Sequence, residues 1–219
     1  MSQTVSQPFP VWKRILFSDI MLSKSKSHRI AYLGVLTALS IVANMFFEIK
    51  FLDVQFSITI FISMISGILI GPLFGFLTAF LGDFIGYLYN SWGLVYMPWV
   101  ALSCATTALI AGLVMNGIKL NFKGGVFIKL AIVCALSLII CTIAINTTGL
   151  YVYFKTIGFS QKTIDYLASK FGSGVTYWGY CFYRLFFLGQ IYNCIVNYAL
   201  LFIAVPALCA VKPLKLSIL

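Results

Sequence analysis

The chain has 219 residues, of which 61% are hydrophobic and only 9% charged. A soluble domain carries about 25% charged residues, so a water-soluble globule, a disordered tail and a disulfide scaffold are excluded, and most of this chain's solvent is lipid. The formal net charge of +10 is not a nucleic-acid footprint, because the basic residues lie between apolar runs.

Residues 1–29 read as a basic cytoplasmic segment. Trp12, Ile15, Leu16 and Ile20 suit a membrane surface, with Lys13 and Arg14 facing water. No cleavable signal peptide is expected, because the apolar stretch 15–22 is short, carries Asp19 and lacks a small-residue cleavage site. Six apolar runs follow, at about 30–47, 56–70, 72–89, 97–116, 126–154 and 185–210. They predict an all-α membrane protein with six transmembrane helices in a membrane domain at 30–210, and a cytoplasmic tail at 211–219. Gly71-Pro72 is a tight turn between the second and third spans, since proline is tolerated at a helix's first position. The fifth run is too long for a simple span, so its outer end tilts or protrudes. Residues 155–184 form a long outer loop with a short helix near 161–170, bounded by Gly158, Gly172 and Gly174.

Lysine and arginine set the orientation. With both termini inside, the inner side holds Lys13, Arg14, Lys24, Lys26, Arg29, Lys119, Lys123, Lys129, Lys212 and Lys215 against Asp19 alone. The outer side holds Lys50, Lys155, Lys162, Lys170 and Arg184 against Glu48, Asp53 and Asp165. The positive-inside rule therefore gives both termini in the cytoplasm.

Polar residues inside apolar spans narrow the function. Gly34 and Ala38 make a small-x-x-x-small face on the first span, suited to close helix packing or to docking another membrane subunit. Asp83 lies near the middle of the third span, where an acid is costly and points to a function or to a helix–helix hydrogen bond. Asn146 falls near the outer end of the fifth span. Gln190, Asn193 and Asn197 share one face of the sixth, as ligand donors or as interhelical glue. Ten of the twelve tyrosines fall in the outer half, joined by Trp92, Trp99 and Trp178. An aromatic belt normally populates both interfaces; this asymmetry fits either an outer belt or an outward pocket whose rings stack on a flat ligand.

Catalytic and nucleotide motifs are missing from the sequence. It has no G-x-x-x-x-G-K-S/T, no H-E-x-x-H and no G-x-S-x-G. His28 is the single histidine, and Asp83 alone cannot form a catalytic dyad, so neither an enzyme nor a metal or other cofactor is expected. The six cysteines form no C-x-x-C pair and read as small packing residues. Uphill transport by this chain would need ion coupling or a partner. A polytopic membrane enzyme or a purely structural polytopic protein is the competing class.

The chain resembles an S component of an energy-coupling factor (ECF) vitamin transporter, of the folate-transporter-like family, over most of residues 22–150. Gly34-Val35-Leu36-Thr37-Ala38-Leu39 resembles that family's first-helix A-x-x-x-A pattern. Ser66 to Gly75, with Gly71-Pro72 at its centre, resembles its glycine-proline segment between the second and third helices. Gly82-Asp83-Phe84-Ile85-Gly86, with Pro98 and Gly112 downstream, resembles its G-x-x-D-x-x-G stretch, and Asn146-Thr147 an N-T near the outer end of the fifth helix. Trp99-Val100 replaces the family's G-F after the proline, and 155–184 is longer than expected for a folate carrier.

The resemblance implies a vitamin-binding subunit in the bacterial plasma membrane, working with a transmembrane T subunit and two ABC ATPases. Gly34 and Ala38 would be the docking face. Folate or a reduced folate leads as substrate, with cobalamin, pantothenate and a queuosine precursor as alternatives. The ligand would lie beneath 87–98 and 155–184. Tyr87, Trp92, Tyr96 and Trp178 would stack on it, Asn90, Asn146, Gln190 and Asn193 would hydrogen-bond it, and Arg184 would grip a carboxylate.

Overall fold

The computed structural model describes residues 11–51, 54–89, 95–118, 120, 124–172 and 174–211. The chain opens with two short helices, α1 (Val11–Leu16) and α2 (Asp19–Ser23), and the long α3 (Lys26–Phe46). A β-hairpin, β1 (Glu48–Phe51) and β2 (Val54–Ser57), leads into α4 (Thr59–Ile70), α5 (Pro72–Tyr89) and α6 (Pro98–Gly117). One continuous helix then runs over Gly125–Ile157. It is α-helical at Gly125–Leu136 (α7), π-helical at Ser137–Thr147, and α-helical again at Thr148–Ile157 (α8). The remainder is α9 (Gln161–Phe171), α10 (Tyr177–Phe182), a second π segment (Tyr183–Phe187) and α11 (Gln190–Ala210).

Among the described residues, five helices are long and apolar enough to cross a membrane: α3, α5, α6, Gly125–Ile157 and α11. The second expected span is a shorter apolar helix. There α4 has 12 residues, roughly 18 Å at 1.5 Å per residue, well short of a hydrocarbon core of about 30 Å. The preceding residues pair as an antiparallel hairpin, with Glu48 opposite Ser57 and Phe51 opposite Val54. Val54-Gln55-Phe56-Ser57 alternates apolar and polar, the strand period, so the apolar run changes period at its start. Nine of the twelve α4 residues are buried, because α4 is the central element, packed against α5, α6 and α11. The main core joins Met64, Ile65 and Ile68 of α4 to Ala111 and Met115 of α6, Leu130 and Val133 of α7, and Leu201 and Val205 of α11.

Glycines set the helix spacings. Gly71, buried at φ +92° between α4 and α5, packs on the backbone of Phe17 and Ser18. That turn also receives the N-terminal segment, where Ser18 Oγ donates to the Leu69 carbonyl at 2.5 Å. Ile20 and Met21 are only 2% exposed, so Ile20 belongs to the core and not to a surface helix, while Ile15 and Leu16 remain exposed. On α5, Gly82 and Gly86 face Ser40 and Asn44 of α3, and a Cβ on either would run into those side chains.

Residues 155–184 are mostly helical. Helix α9 lies where the glycines bound it, capped by Ser160 Oγ accepting from the Thr163 N–H and ended by Gly172 at φ +63°. Leu167, Tyr180 and Tyr183 are buried there against Tyr151, Phe154 and Phe159. The tyrosines at this end therefore pack mainly on one another.

Candidate functional site

A cavity of about 320 Å³ lies where α3, the hairpin–α4 junction, α5, α6, the first π segment and the start of α11 converge. Helix α3 contributes Asn44, the hairpin–α4 junction Ser57 and Thr59, and α5 Asp83 and Tyr87. Tyr96 comes from the segment before α6, and Ser103, Cys104 and Thr107 from α6. Thr142 and Asn146 come from the first π segment, Arg184 from the second, and Gln190 and Asn193 from α11.

Arg184 is 7% exposed. Its Nη1 donates to Thr147 Oγ1 at 2.6 Å, and it makes no ion pair among the described residues. Burial lowers its pKa, and the Tyr180 phenol opposes that shift; a guanidinium still stays charged at any physiological pH. Tyr96 Oη and Asn146 Oδ1 are buried with no hydrogen-bond partner. Burial, and then the Asp83 carboxylate, push the Tyr96 phenol above its usual range, so it remains a donor. Its ring packs against Tyr87 and Phe84, at centroid distances of 5.0 and 5.3 Å. The wall thus combines two tyrosine rings, an amide oxygen seeking a donor, one carboxylate and one guanidinium. Such a surface can hold a small ring system with hydrogen-bonding edges.

Of the residues expected to bind, Tyr87, Tyr96, Asn146, Arg184, Gln190 and Asn193 line this one cavity, and Asp83 joins them. Asn90 and Trp92 lie outside the described residues. Trp178 is not on the cavity wall. It is 74% exposed, with its ring against Tyr177 at 5.1 Å, because it sits on the outward face of α10. Asn193 is on the wall, but its side-chain oxygen already accepts from the Ser57 N–H at 2.9 Å. Gly34 and Ala38 lie together on the exposed face of α3, and a Cβ on Gly34 would meet nothing within 4 Å.

Sequence reasoning missed Asn44, Ser57, Thr59, Ser103, Thr107 and Thr142. Asn44, an amide within an apolar span, was the one legible signal. The hydroxyls gave none, because serine and threonine in apolar helices often bond back to their own backbone, as Thr107 Oγ1 does to the Ser103 carbonyl at 2.9 Å.

Residues 24–176 match the model of a protein family described as ECF-type riboflavin transporter, S component. No curated protein matches the chain.

Proposed function

The chain belongs to the family of ECF-type riboflavin transporter S components, which its residues 24–176 match, and from that premise we propose that it captures a flat heterocyclic vitamin in the cavity between Asp83 and Arg184. As an S component it is a membrane transport subunit that binds substrate for an ECF complex; it is not an enzyme. Folate or a reduced folate is the substrate we put first. The observation that carries this choice is the buried Arg184, which faces the cavity without an acidic partner among the described residues. A guanidinium in that setting suits a carboxylate, held by two parallel hydrogen bonds. The cavity volume lies at the low end of the ~300–1,000 Å³ range of small-molecule sites, which argues against a corrinoid such as cobalamin.

In this reading the tyrosine-rich end faces out, both termini lie inside, and the membrane is the bacterial plasma membrane. A T subunit and two ABC ATPases supply the energy, since the sequence carries no nucleotide motif of its own. Riboflavin is the second reading, supported by the description of the matching family.

Mass spectrometry of the ligand that co-purifies from cells tests the substrate. Liposomes test the role: the lone chain should bind vitamin without concentrating it, and uptake should appear only with the T subunit, the ATPases and ATP. Robust uphill uptake by the lone chain, with or without an ion gradient, would refute the proposal.

A further inference from the structure

We propose that residues 177–187, α10 and the second π segment, lie along the outer lipid–water boundary with an aromatic ridge of Trp178, Phe182 and Phe186 set into the bilayer. The end of the expected outer loop is then a membrane-embedded element. The three residues recur at every fourth position, the spacing that stacks side chains on one helix face. All three are exposed, Trp178 at 74%. The rings of Phe182 and Phe186 lie 4.8 Å apart, and Phe171, from the end of α9, sets its exposed ring edge-on to Phe182 at 5.7 Å. The opposite face of the same segment is buried, with Tyr180 and Tyr183 in the aromatic cluster and Arg184 on the cavity wall. Lipid and cavity thus lie on opposite sides of one helical segment.

Contiguous exposed apolar side chains mark a contact surface, and three observations identify the bilayer as what this one contacts. The segment is continuous with a membrane span: Gly189, at φ +73°, turns it directly into α11. With 21 residues, α11 is roughly 31 Å long at 1.5 Å per residue, the thickness of a hydrocarbon core of about 30 Å. Its first turn therefore stands at the edge of the hydrocarbon, and residues 177–187 abut that edge. Apolar side chains are exposed on both sides of the turn, since Tyr192, Ile195 and Val196 of α11 are exposed as well. The composition also fits this level: tryptophan gathers at membrane interfaces, and phenylalanine rings beside it suit acyl chains. Finally, polar and apolar surfaces are segregated. Helix α9 packs on α10 yet exposes Gln161, Asp165, Ser169 and Lys170, a face suited to water. The boundary between water and lipid accordingly falls between α9 and the ridge.

The test is tryptophan fluorescence of the full-length protein in nanodiscs of phosphatidylcholine and phosphatidylglycerol. Some discs carry lipids with a nitroxide quencher near the top of the acyl chain, others with the nitroxide near its end. Trp178 is read as the difference between wild type and Trp178→Phe, a conservative change at an exposed site. Its emission should be largely lost with the shallow nitroxide, less with the deep one, and little changed by iodide in the water. Phe182→Trp on the Trp178→Phe chain should behave the same way. Ser169→Trp on that chain, on the polar face of α9, should show the reverse, quenched by iodide and not by lipid. The Trp178 reading decides alone if either added tryptophan prevents folding. Iodide quenching of Trp178 without lipid quenching overturns the proposal, because the ridge then faces water. Resistance to both quenchers overturns it too, because protein, such as a second copy of the chain, then covers the ridge. Stronger quenching by the deep nitroxide overturns the interfacial placement.

Discussion

Arg184 Nη1 donates to Thr147 Oγ1 at 2.6 Å, and the same hydroxyl donates to the Thr142 carbonyl at 2.7 Å. Both residues lie in π-helical stretches, Thr147 at the end of one and Arg184 within the other. The wider π turn lets a hydroxyl reach the carbonyl five residues back, as Thr148 Oγ1 also does to Ile143 at 3.3 Å. The relay ties the guanidinium to a fixed backbone group. Thr147→Val keeps the shape but removes both bonds. We expect vitamin binding to weaken by ~1–2 kcal/mol, roughly 5- to 30-fold, in calorimetry, with Thr147→Ser restoring most of it. An unchanged dissociation constant in the folded valine variant would show that Thr147 does not position Arg184.

The packing of α3 on α5 makes opposite demands at two glycines. Gly82 faces Ser40, and a Cβ there collides with its side chain, whereas a Cβ on Gly34 meets nothing within 4 Å. Gly82→Val should therefore cost on the order of 1–3 kcal/mol through overpacking, read as a lowered melting midpoint and aggregation on size exclusion. Gly34→Ala should leave the midpoint unchanged or slightly raised, since alanine is the better helix former. Equal behaviour of the two variants would contradict this packing arrangement.

Gly34 and Ala38 stand exposed on the same face of α3, which fits our proposal that this face docks a membrane partner by close helix approach. Ala38→Trp should abolish uptake by the complete transporter while leaving vitamin affinity in the isolated subunit within about twofold, since Ala38 is not on the cavity wall. If affinity collapses while the complex still assembles, the pair serves the subunit's own fold.

The spans were legible where apolar period and length agreed, as in α3, α5, α6 and α11. The second was less legible because its run begins as a strand. Val54 to Ser57 alternates, but Phe56 and Ile58 merge into the apolar stretch that follows, so composition did not mark where the strand ends and the helix begins. The candidate site was legible where polar groups interrupt or border apolar spans, as at Asp83 within the third, Asn146 near the outer end of the fifth and Arg184 just before the sixth. It was not legible for Trp178, because an aromatic residue near an interface reads the same whether it faces a ligand or the surroundings. Nor was it legible for Ser57 and Thr59, which reach the cavity from the junction of the hairpin and α4.

The last prediction concerns how α11 holds that hairpin. Helix α4 begins without a side-chain cap of its own, since Ile58 occupies the N-cap position. The cap comes from another helix. Asn197 Oδ1 accepts from the Phe61 N–H at 2.8 Å, and its Nδ2 donates to the Ser57 carbonyl at 2.7 Å and to the Asn193 carbonyl at 2.8 Å. Asn193 Oδ1 adds a bond from the Ser57 N–H. Asn197 is fully buried, so an apolar replacement leaves the Phe61 donor and the Ser57 acceptor unpaired away from water. Asn197→Leu, close in volume, should cost about 1–3 kcal/mol per group left unsatisfied and lower the melting midpoint. Asn193→Ala strips the bonds its Oδ1 accepts from the Ser57 N–H and from Asn197 Nδ2 but leaves the bonds of Asn197 to the backbone, and should cost less. Because Ser57 and Thr59 form part of the cavity wall, Asn197→Leu should also weaken vitamin binding, whereas a defect confined to the core would lower stability alone. Calorimetry beside a thermal melt separates the two. A wild-type midpoint and wild-type affinity in Asn197→Leu would show that the amide is dispensable and that the hairpin is held by packing alone.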